Sequence, residues 1–201
     1  KLEKALGDSA QEIDDLRKKL KNVSRAARTD ALTDLANRKY FAKRLREAAK
    51  EATETKNPLA LLMLDVDNFK EVNDNWGHLV GDHVLRLISK TLVESIKGRD
   101  LAARYGGDEF AVVLPNTRLK DASTLAEQIR KTISTKKLSL KNTGESIRGI
   151  TASIGVAAYR HGETLDELIH RADQALYSAK NDGRNRVATE APLQALAAAN
   201  S

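Results

Sequence analysis

The sequence contains no cysteine. Disulfides, zinc-thiolate centres and thiol nucleophiles are thereby excluded, and the absence agrees with a reducing compartment such as the cytoplasm. Aromatic residues make up only 4% of the chain, too few for the stacking platforms that grip single-stranded nucleic acid, so no nucleic-acid polymer is expected as a partner. No apolar run reaches the roughly 18 residues of a membrane span, and no charged-then-apolar leader opens the chain. What remains is a chain of 201 residues, 41% hydrophobic, able to bury one sizeable core and carry an appendage. Lys and Arg exceed Asp and Glu by six, a scattered basic excess suited to the phosphates of a small ligand. The first residue is Lys1 rather than Met, so an upstream region is expected.

Leu2, Leu6, Ile13, Leu16, Leu20, Val23 and Ala27 recur at spacings of three and four, broken only at Ser9, with charged residues between them. This is a heptad seam along roughly 40 Å of helix. A seam so narrow predicts a partner helix, with folding back onto its own domain as the alternative. Beyond it strands and helices alternate. A helix is predicted from about Arg38 to Thr53, and the apolar run Leu59 to Leu64 suits a central strand buried on both faces. Val84, Leu85, Ile88, Leu92 and Ile96 mark a second helix, Leu119 through Ile133 a third, and Leu165 through Ala179 a last one behind the capping box Thr164 to Glu167. Gly106-Gly107 reads as a two-residue hairpin turn of the primed type, which demands positive φ. Asn142-Thr-Gly144 predicts the turn of a polar edge hairpin, Ile150 to Val156 a strand with two unlike faces, and Asn185 to Ala188 a short final strand. The order predicts an α+β fold, a mixed sheet with helices on one face. The expected divisions are a coiled-coil helix over 1–29, a globular domain over 30–189 and a fraying tail over 190–201.

Asp65-Val66-Asp67 ends the buried strand, where carboxylates are costly unless positive charge meets them. If that strand pairs with the glycine hairpin, Asp65 and Asp108 converge, and two or three carboxylates at one strand edge form an oxygen site for a hard cation such as Mg²⁺. Taken alone, Asp108 and Glu109 also read as ordinary hairpin polars. Lys70, Lys180 and Arg184 suit phosphate oxygens, although the last two equally suit a helix C-terminus. Asn73, His78 and Asp82 are polar groups for a base; His78 also reads as a turn cap and Trp76 as core packing.

Together these segments resemble the GGDEF family, the diguanylate cyclases. Arg104-Tyr-Gly-Gly-Asp-Glu-Phe110 carries the signature, and Asp65-Val-Asp-Asn-Phe-Lys70, Asn73-Asp74, Gly77-His-Leu-Val-Gly-Asp82 and Asp182-Gly-Arg-Asn-Arg186 follow the family's pattern. Asp30-Ala-Leu-Thr33 followed by Asn37-Arg38 resembles the joint to an upstream helix, so the likeness runs from about Asp30 to Ala188. It implies a nucleotidyl-cyclase-like fold, a ferredoxin-like core with an added hairpin. It also implies that two GTP molecules condense to cyclic di-GMP with loss of two pyrophosphates. Asp65, the Val66 carbonyl and Asp108 would hold one or two Mg²⁺ (or Mn²⁺) ions in each half-site, with Asp108 as candidate base and Glu109 in support. By the same likeness Lys70 would stabilise the transferring phosphoryl group, and Lys180 and Arg184 the outer phosphates. Guanine would meet Asn73, Asp82 and His78. The Asp82 carboxylate can accept both the N1-H and 2-amino protons of guanine but would repel the N1 lone pair of adenine. Each domain would take one GTP, so a homodimer held by the N-terminal coiled coil is implied, under an upstream sensory domain that could anchor the full-length protein in a membrane.

One departure stands out. The family's product-inhibition motif is Arg-x-x-Asp, and here Lys97-Gly-Arg-Asp100 stands in its place, without the planar fork at the first position. Three rivals remain: a silent relative that only binds nucleotide, an ATP-using cyclase, and a purely structural dimeriser.

Overall fold

A computed structural model describes residues 2–139, 146–147 and 149–190. In chain order the elements are α1 (Leu2–Ala26), α2 (Arg38–Thr55), β1 (Leu59–Val66), α3 (Phe69–Trp76), α4 (His78–Ser95), β2 (Leu101–Arg104), β3 (Glu109–Pro115), α5 (Leu119–Thr135), β4 (Leu138–Ser139), β5 (Ser146–Ile147), β6 (Ala152–Ala158), α6 (Leu165–Asn181) and β7 (Val187–Thr189). β1 is buried along its whole length and lies at the centre of a five-stranded sheet of order β2-β3-β1-β6-β7. Its neighbours β3 and β6 run antiparallel to it, and β7 runs parallel to β6, so the sheet is mixed.

A strand apolar on both faces needs cover on both, and the helices supply it. Leu59, Leu61 and Met63 pack with Phe41 and Leu45 of α2 and with Leu168 and Ala172 of α6. Leu62, Leu64 and Val66 face the other way, onto Val84, Leu85 and Ile88 of α4 and Ala126 and Ile129 of α5. The expectation of helices on one face is therefore corrected: the continuous apolar run already required two helical layers. Side chains of this size contribute about 1.5–3 kcal/mol each when fully buried. α6 comes so close to β6 that a Cβ on Gly155 would lie 2.1 Å from the Ala172 carbonyl oxygen. That strand's small residues are the means by which α6 reaches the sheet.

Other expectations shift by a few residues or more. The first predicted helix runs on to Thr55, the second stops at Ser95 with Ile96 as its cap, and the last strand is Val187–Thr189. α3 was not foreseen. It holds eight residues, none fully buried, and packs inward only through Phe69 and Val72. Asn142-Thr-Gly144 and the tail beyond 190 lie outside the described residues, while the strands flanking that turn form their own two-stranded sheet. Trp76 is 42% exposed rather than packed in the core.

Along α1, Ile13, Leu16, Leu20 and Val23 are between 51% and 71% exposed, so the seam does not fold back onto the domain. The chain leaves α1 through a tight turn in which Asp30 Oδ1 accepts from the amide and hydroxyl of Thr33 at 2.9 and 2.7 Å. Ala36 then bridges in parallel to Ala103, lying along the outer edge of β2. No helix among the described residues is long and apolar enough to cross a membrane.

Candidate active site

The register of β1 against β3 sets Asp65 opposite Glu109, and the Val66 amide donates to the Asp108 carbonyl at 3.3 Å. Strand pairing thus carries Asp65, Asp108 and Glu109 to one end of the sheet. Asp65 is only 8% exposed, Asp108 is half-buried and Glu109 is exposed. Burial foremost pushes the Asp65 carboxyl up to about 6; Asp108 and Glu109 add to this, while the Lys180 ammonium, 2.8 Å from Oδ2, opposes it. Lys180, expected on outer phosphates, thus makes its contact with the buried carboxylate. Asp173 on α6 is also raised, by burial first and by Glu109, against His170 and Lys180. A carboxylate raised by burial and by two acidic neighbours suits a site where a divalent cation brings further positive charge.

That donor set fits Mg²⁺ in a particular way. Among the described residues no three acidic or imidazole side chains form a ready-made cage. The protein side would be Asp65 and Asp108 with the Val66 carbonyl, leaving the other positions to water and substrate phosphate, as Mg²⁺ prefers. Asp67, two residues beyond Asp65, is not available for this. Its carboxylate accepts from the Thr151 hydroxyl at 2.7 Å, the Ser153 hydroxyl at 2.7 Å and the Asn185 amide at 2.9 Å. Asp67 is a structural staple.

Because the folded value of Asp65 lies above its ordinary value of 3.8, the native state keeps a proton there that the unfolded chain has lost. The stability this confers is complete below the unfolded value and is lost as pH rises through about 6. In EDTA, Asp65→Asn should therefore gain in unfolding midpoint relative to the parent as pH goes from about 4 to 7. Thermal melts across that range test it; a gap that does not change with pH would contradict it.

The glycine pair acts differently from expectation. Neither Gly106 nor Gly107 has positive φ, and the connection is the four-residue loop Tyr105–Asp108 rather than a primed two-residue turn. A Cβ on Gly106 would lie 2.4 Å from Oε2 of Glu109, the end of an exposed side chain that can turn aside. The loop is held by Arg104, whose Nε and Nη2 donate to the Gly107 carbonyl at 3.1 and 2.7 Å. Nη1 of the same guanidinium donates to both Asp30 oxygens at 3.1 and 3.2 Å. Arg104 therefore ties the turn after α1 to the carboxylate loop.

α3 and α4 meet at Gly77, whose φ of 81° ends one helix and opens the next. Asn73 points across this corner: its Oδ1 is buried without a hydrogen-bond partner and lies 2.0 Å from where a Gly81 Cβ would be. An orphaned buried acceptor is expensive, and here it lies against Gly81, the residue before Asp82, which is half-buried on α4. Lys70 on α3 and His78 at the start of α4 are exposed. After α6, Gly183, Arg184 and Asn185 all take positive φ, of 113°, 60° and 46°, and the Arg184 side chain stays exposed. Left-handed backbone costs about 1–2 kcal/mol per non-glycine residue.

Asp67, Arg104, Asp173, Asn185 and Arg130 had no assigned role in the sequence. The alternation of Asp65 and Asp67 on one strand face was the available hint.

The family model described as "Diguanylate cyclase, GGDEF domain" matches residues 27–186. Response regulator PleD of Caulobacter vibrioides is 41% identical over 179 residues, covering 89% of this chain and 39% of PleD. Diguanylate cyclase VdcA of Vibrio cholerae is 39% identical over 186 residues, covering 92% of this chain and 54% of VdcA. The chain thus spans between 39% and 54% of the length of these two relatives. Among solved structures, the coiled coil and GGDEF domain of DgcB from Caulobacter crescentus, in complex with c-di-GMP, matches with a TM-score of 0.87 and 41% identity over 94% of this chain and 98% of that one. Diguanylate cyclase SiaD of Pseudomonas aeruginosa, in complex with its activator SiaC, matches with a TM-score of 0.79 and 38% identity over 94% of this chain and 71% of that one.

Proposed function

Since the chain belongs to the GGDEF diguanylate cyclase family, we propose that it condenses two GTP molecules into cyclic di-GMP and two pyrophosphates. The observation that carries this is the convergence of Asp65, Asp108 and Glu109 at the paired ends of β1 and β3. Asp65, the Val66 carbonyl and Asp108 would hold one or two Mg²⁺ or Mn²⁺ ions, whose charge polarises the α-phosphate and neutralises departing pyrophosphate. The 3′-hydroxyl of one GTP forms the new bond to the α-phosphorus of the other, and the bond to the β-phosphate breaks. Asp108 takes the hydroxyl proton, with Glu109 beside it. Lys70 stabilises the transferring phosphoryl group, and Lys180 exchanges its contact with Asp65 for the outer phosphates, where Arg184 joins it. Incubation with GTP and Mg²⁺, followed by chromatography and mass spectrometry, should yield the cyclic dinucleotide; its absence refutes the proposal.

Guanine is read at the α3–α4 corner by Asn73 and Asp82, with His78 as a third contact. The buried, unpartnered Oδ1 of Asn73 supports this, since a base amino group would satisfy it. Asp82→Ala should lower the GTP over ATP preference by about a hundredfold or more, the scale lost when a base-reading hydrogen bond goes. Competition between the two nucleotides measures it, and unchanged selectivity would remove Asp82 from this role.

Product inhibition should be weak. Besides the lysine at position 97, the Arg99 guanidinium is engaged with Glu51, Nη1 to Oε1 at 2.6 Å, and Asp100 accepts from the Lys97 amide at 3.1 Å. Initial rates titrated with cyclic di-GMP should barely fall, and Lys97→Arg should bring inhibition in. Strong inhibition of the parent chain would overturn this.

Catalysis requires two domains facing each other around a two-fold axis, and the exposed seam of α1 supplies the dimer contact. The domain over 30–189 is the catalytic unit, the helix over 1–29 its dimerising and signalling element, and residues 190–201 a tail. A sensory domain upstream and a cytoplasmic site of action complete the proposal.

A further inference from the structure

We infer that Asn185 and Arg130, together with Asp67, are positioning residues that hold Arg184 at the phosphate end of the site. Arg184 lies in the left-handed region with Asn185 beside it, and neither is glycine. Such a pair persists only where its surroundings fix it. Two bonds to Asn185 do so here. Its amide donates to Asp67 Oδ2 at 2.9 Å, and its Oδ1 accepts from Arg130 Nη1 at 2.7 Å. Both anchors are themselves rigid. Asp67 is buried and takes two hydroxyl donors from β6 and the residue before it, and Arg130 is forked onto Glu127 at 2.8 and 2.7 Å.

The strap spans three elements: the end of β1, the loop after α6, and α5. Asp67 follows the metal-site residues Asp65 and Val66 directly, so the strand that carries the buried carboxylate also fixes the backbone that carries the cation. The carbonyl of Arg186, next along, accepts from the Ile154 amide at 3.0 Å, which ties the same loop to the sheet. Among the described residues neither Arg130 nor Asn185 bonds the Arg184 side chain. They act on the nucleotide only by holding that arginine's position.

Resting on the cyclase function proposed above, the strap predicts a change in substrate affinity rather than in chemistry. A cation on the outer phosphates binds ground state and transition state alike, so its displacement raises KM and leaves kcat nearly constant. Arg130→Leu should raise KM for GTP about five- to tenfold, the scale of one ordinary hydrogen bond lost from the strap. Asn185→Gly, which keeps the left-handed backbone but removes the acceptor, should match it. Asn185→Asp, which tolerates that backbone and still accepts from Arg130, should stay within about twofold of the parent. In an Arg184→Ala background, which itself raises KM, Arg130→Leu should add nothing further.

Steady-state kinetics of the full chain, with thermal melts and equilibrium binding of GTP alongside, decide among the outcomes. Additive effects of Arg130→Leu and Arg184→Ala, a fall in kcat without a rise in KM, or no change in Arg130→Leu would each overturn the strap. A parent chain that forms no dinucleotide would refute the proposed function instead. The GTP dissociation constants of the same variants would then settle the strap alone, equal values for Arg130→Leu and the parent overturning it.

Discussion

Asp65→Asn is expected to cut cyclic dinucleotide formation by at least about a thousandfold while leaving the fold no less stable at pH 7. The two halves of this expectation have one cause. Asp65 is a buried carboxylate whose ionisation burial resists, with Asp108 and Glu109 adding to the resistance and only Lys180 opposing it. Asparagine has the same shape without the charge, so the folded state loses an unfavourable group. On the proposed mechanism the reaction would lose a ligand for the divalent ion and, with it, about 4 kcal/mol of transition-state stabilisation, the upper range for removing one preorganised electrostatic contact. Product formation and melting temperature measured on the same sample test both halves. Activity within about tenfold of the parent would remove Asp65 from the site. A clear drop in melting temperature would mean that the pair with Lys180 outweighs the cost of burying the charge.

Removal of residues 1–28 is the second large effect. The seam residues Ile13, Leu16, Leu20 and Val23 are exposed, so these four side chains make no use of the domain's own core. Joined as a coiled coil, two such helices hold their domains at an effective concentration on the millimolar scale. At about 1 μM protein the truncated chain should turn over roughly a hundred- to thousandfold more slowly, with a rate that rises as the square of concentration. The parent should show a linear dependence. An undiminished, linear rate after truncation would mean that the domains meet without α1.

The parts of this molecule legible in its sequence are those whose cause is local. β1 announces itself by an unbroken apolar run, and α6 by a capping box in which the Thr164 and Glu167 side chains each bond the other's backbone. The convergence of Asp65 with Asp108 was also accessible, because a single assumed strand pairing places them together. α3 was not accessible, since eight mainly polar residues with two inward side chains give no period to read. The glycines misled for a definite reason. A glycine can serve either by adopting positive φ or by lacking a Cβ, and the letter is the same in both cases. Gly106 has no positive φ, and only the Glu109 side chain crowds the place of its Cβ. The role of Asp67 stayed hidden because its partner Asn185 is 118 positions away, and Arg130 meets that residue across 55. Contacts of that separation leave no periodic trace.

The bridge from Ala36 to Ala103 bears on how the chain can safely be shortened. β2 is a border strand, and the Ala36 amide and carbonyl occupy backbone groups of Ala102 and Arg104 that would otherwise face outward, at 3.2 and 2.9 Å. Cutting beyond Asn37 would strip this selvedge and leave bare ladder positions open to strands of other molecules, an invitation to aggregate. The residues between α1 and α2 therefore act as a hem for the sheet, and a fragment that keeps it has to begin no later than Thr29.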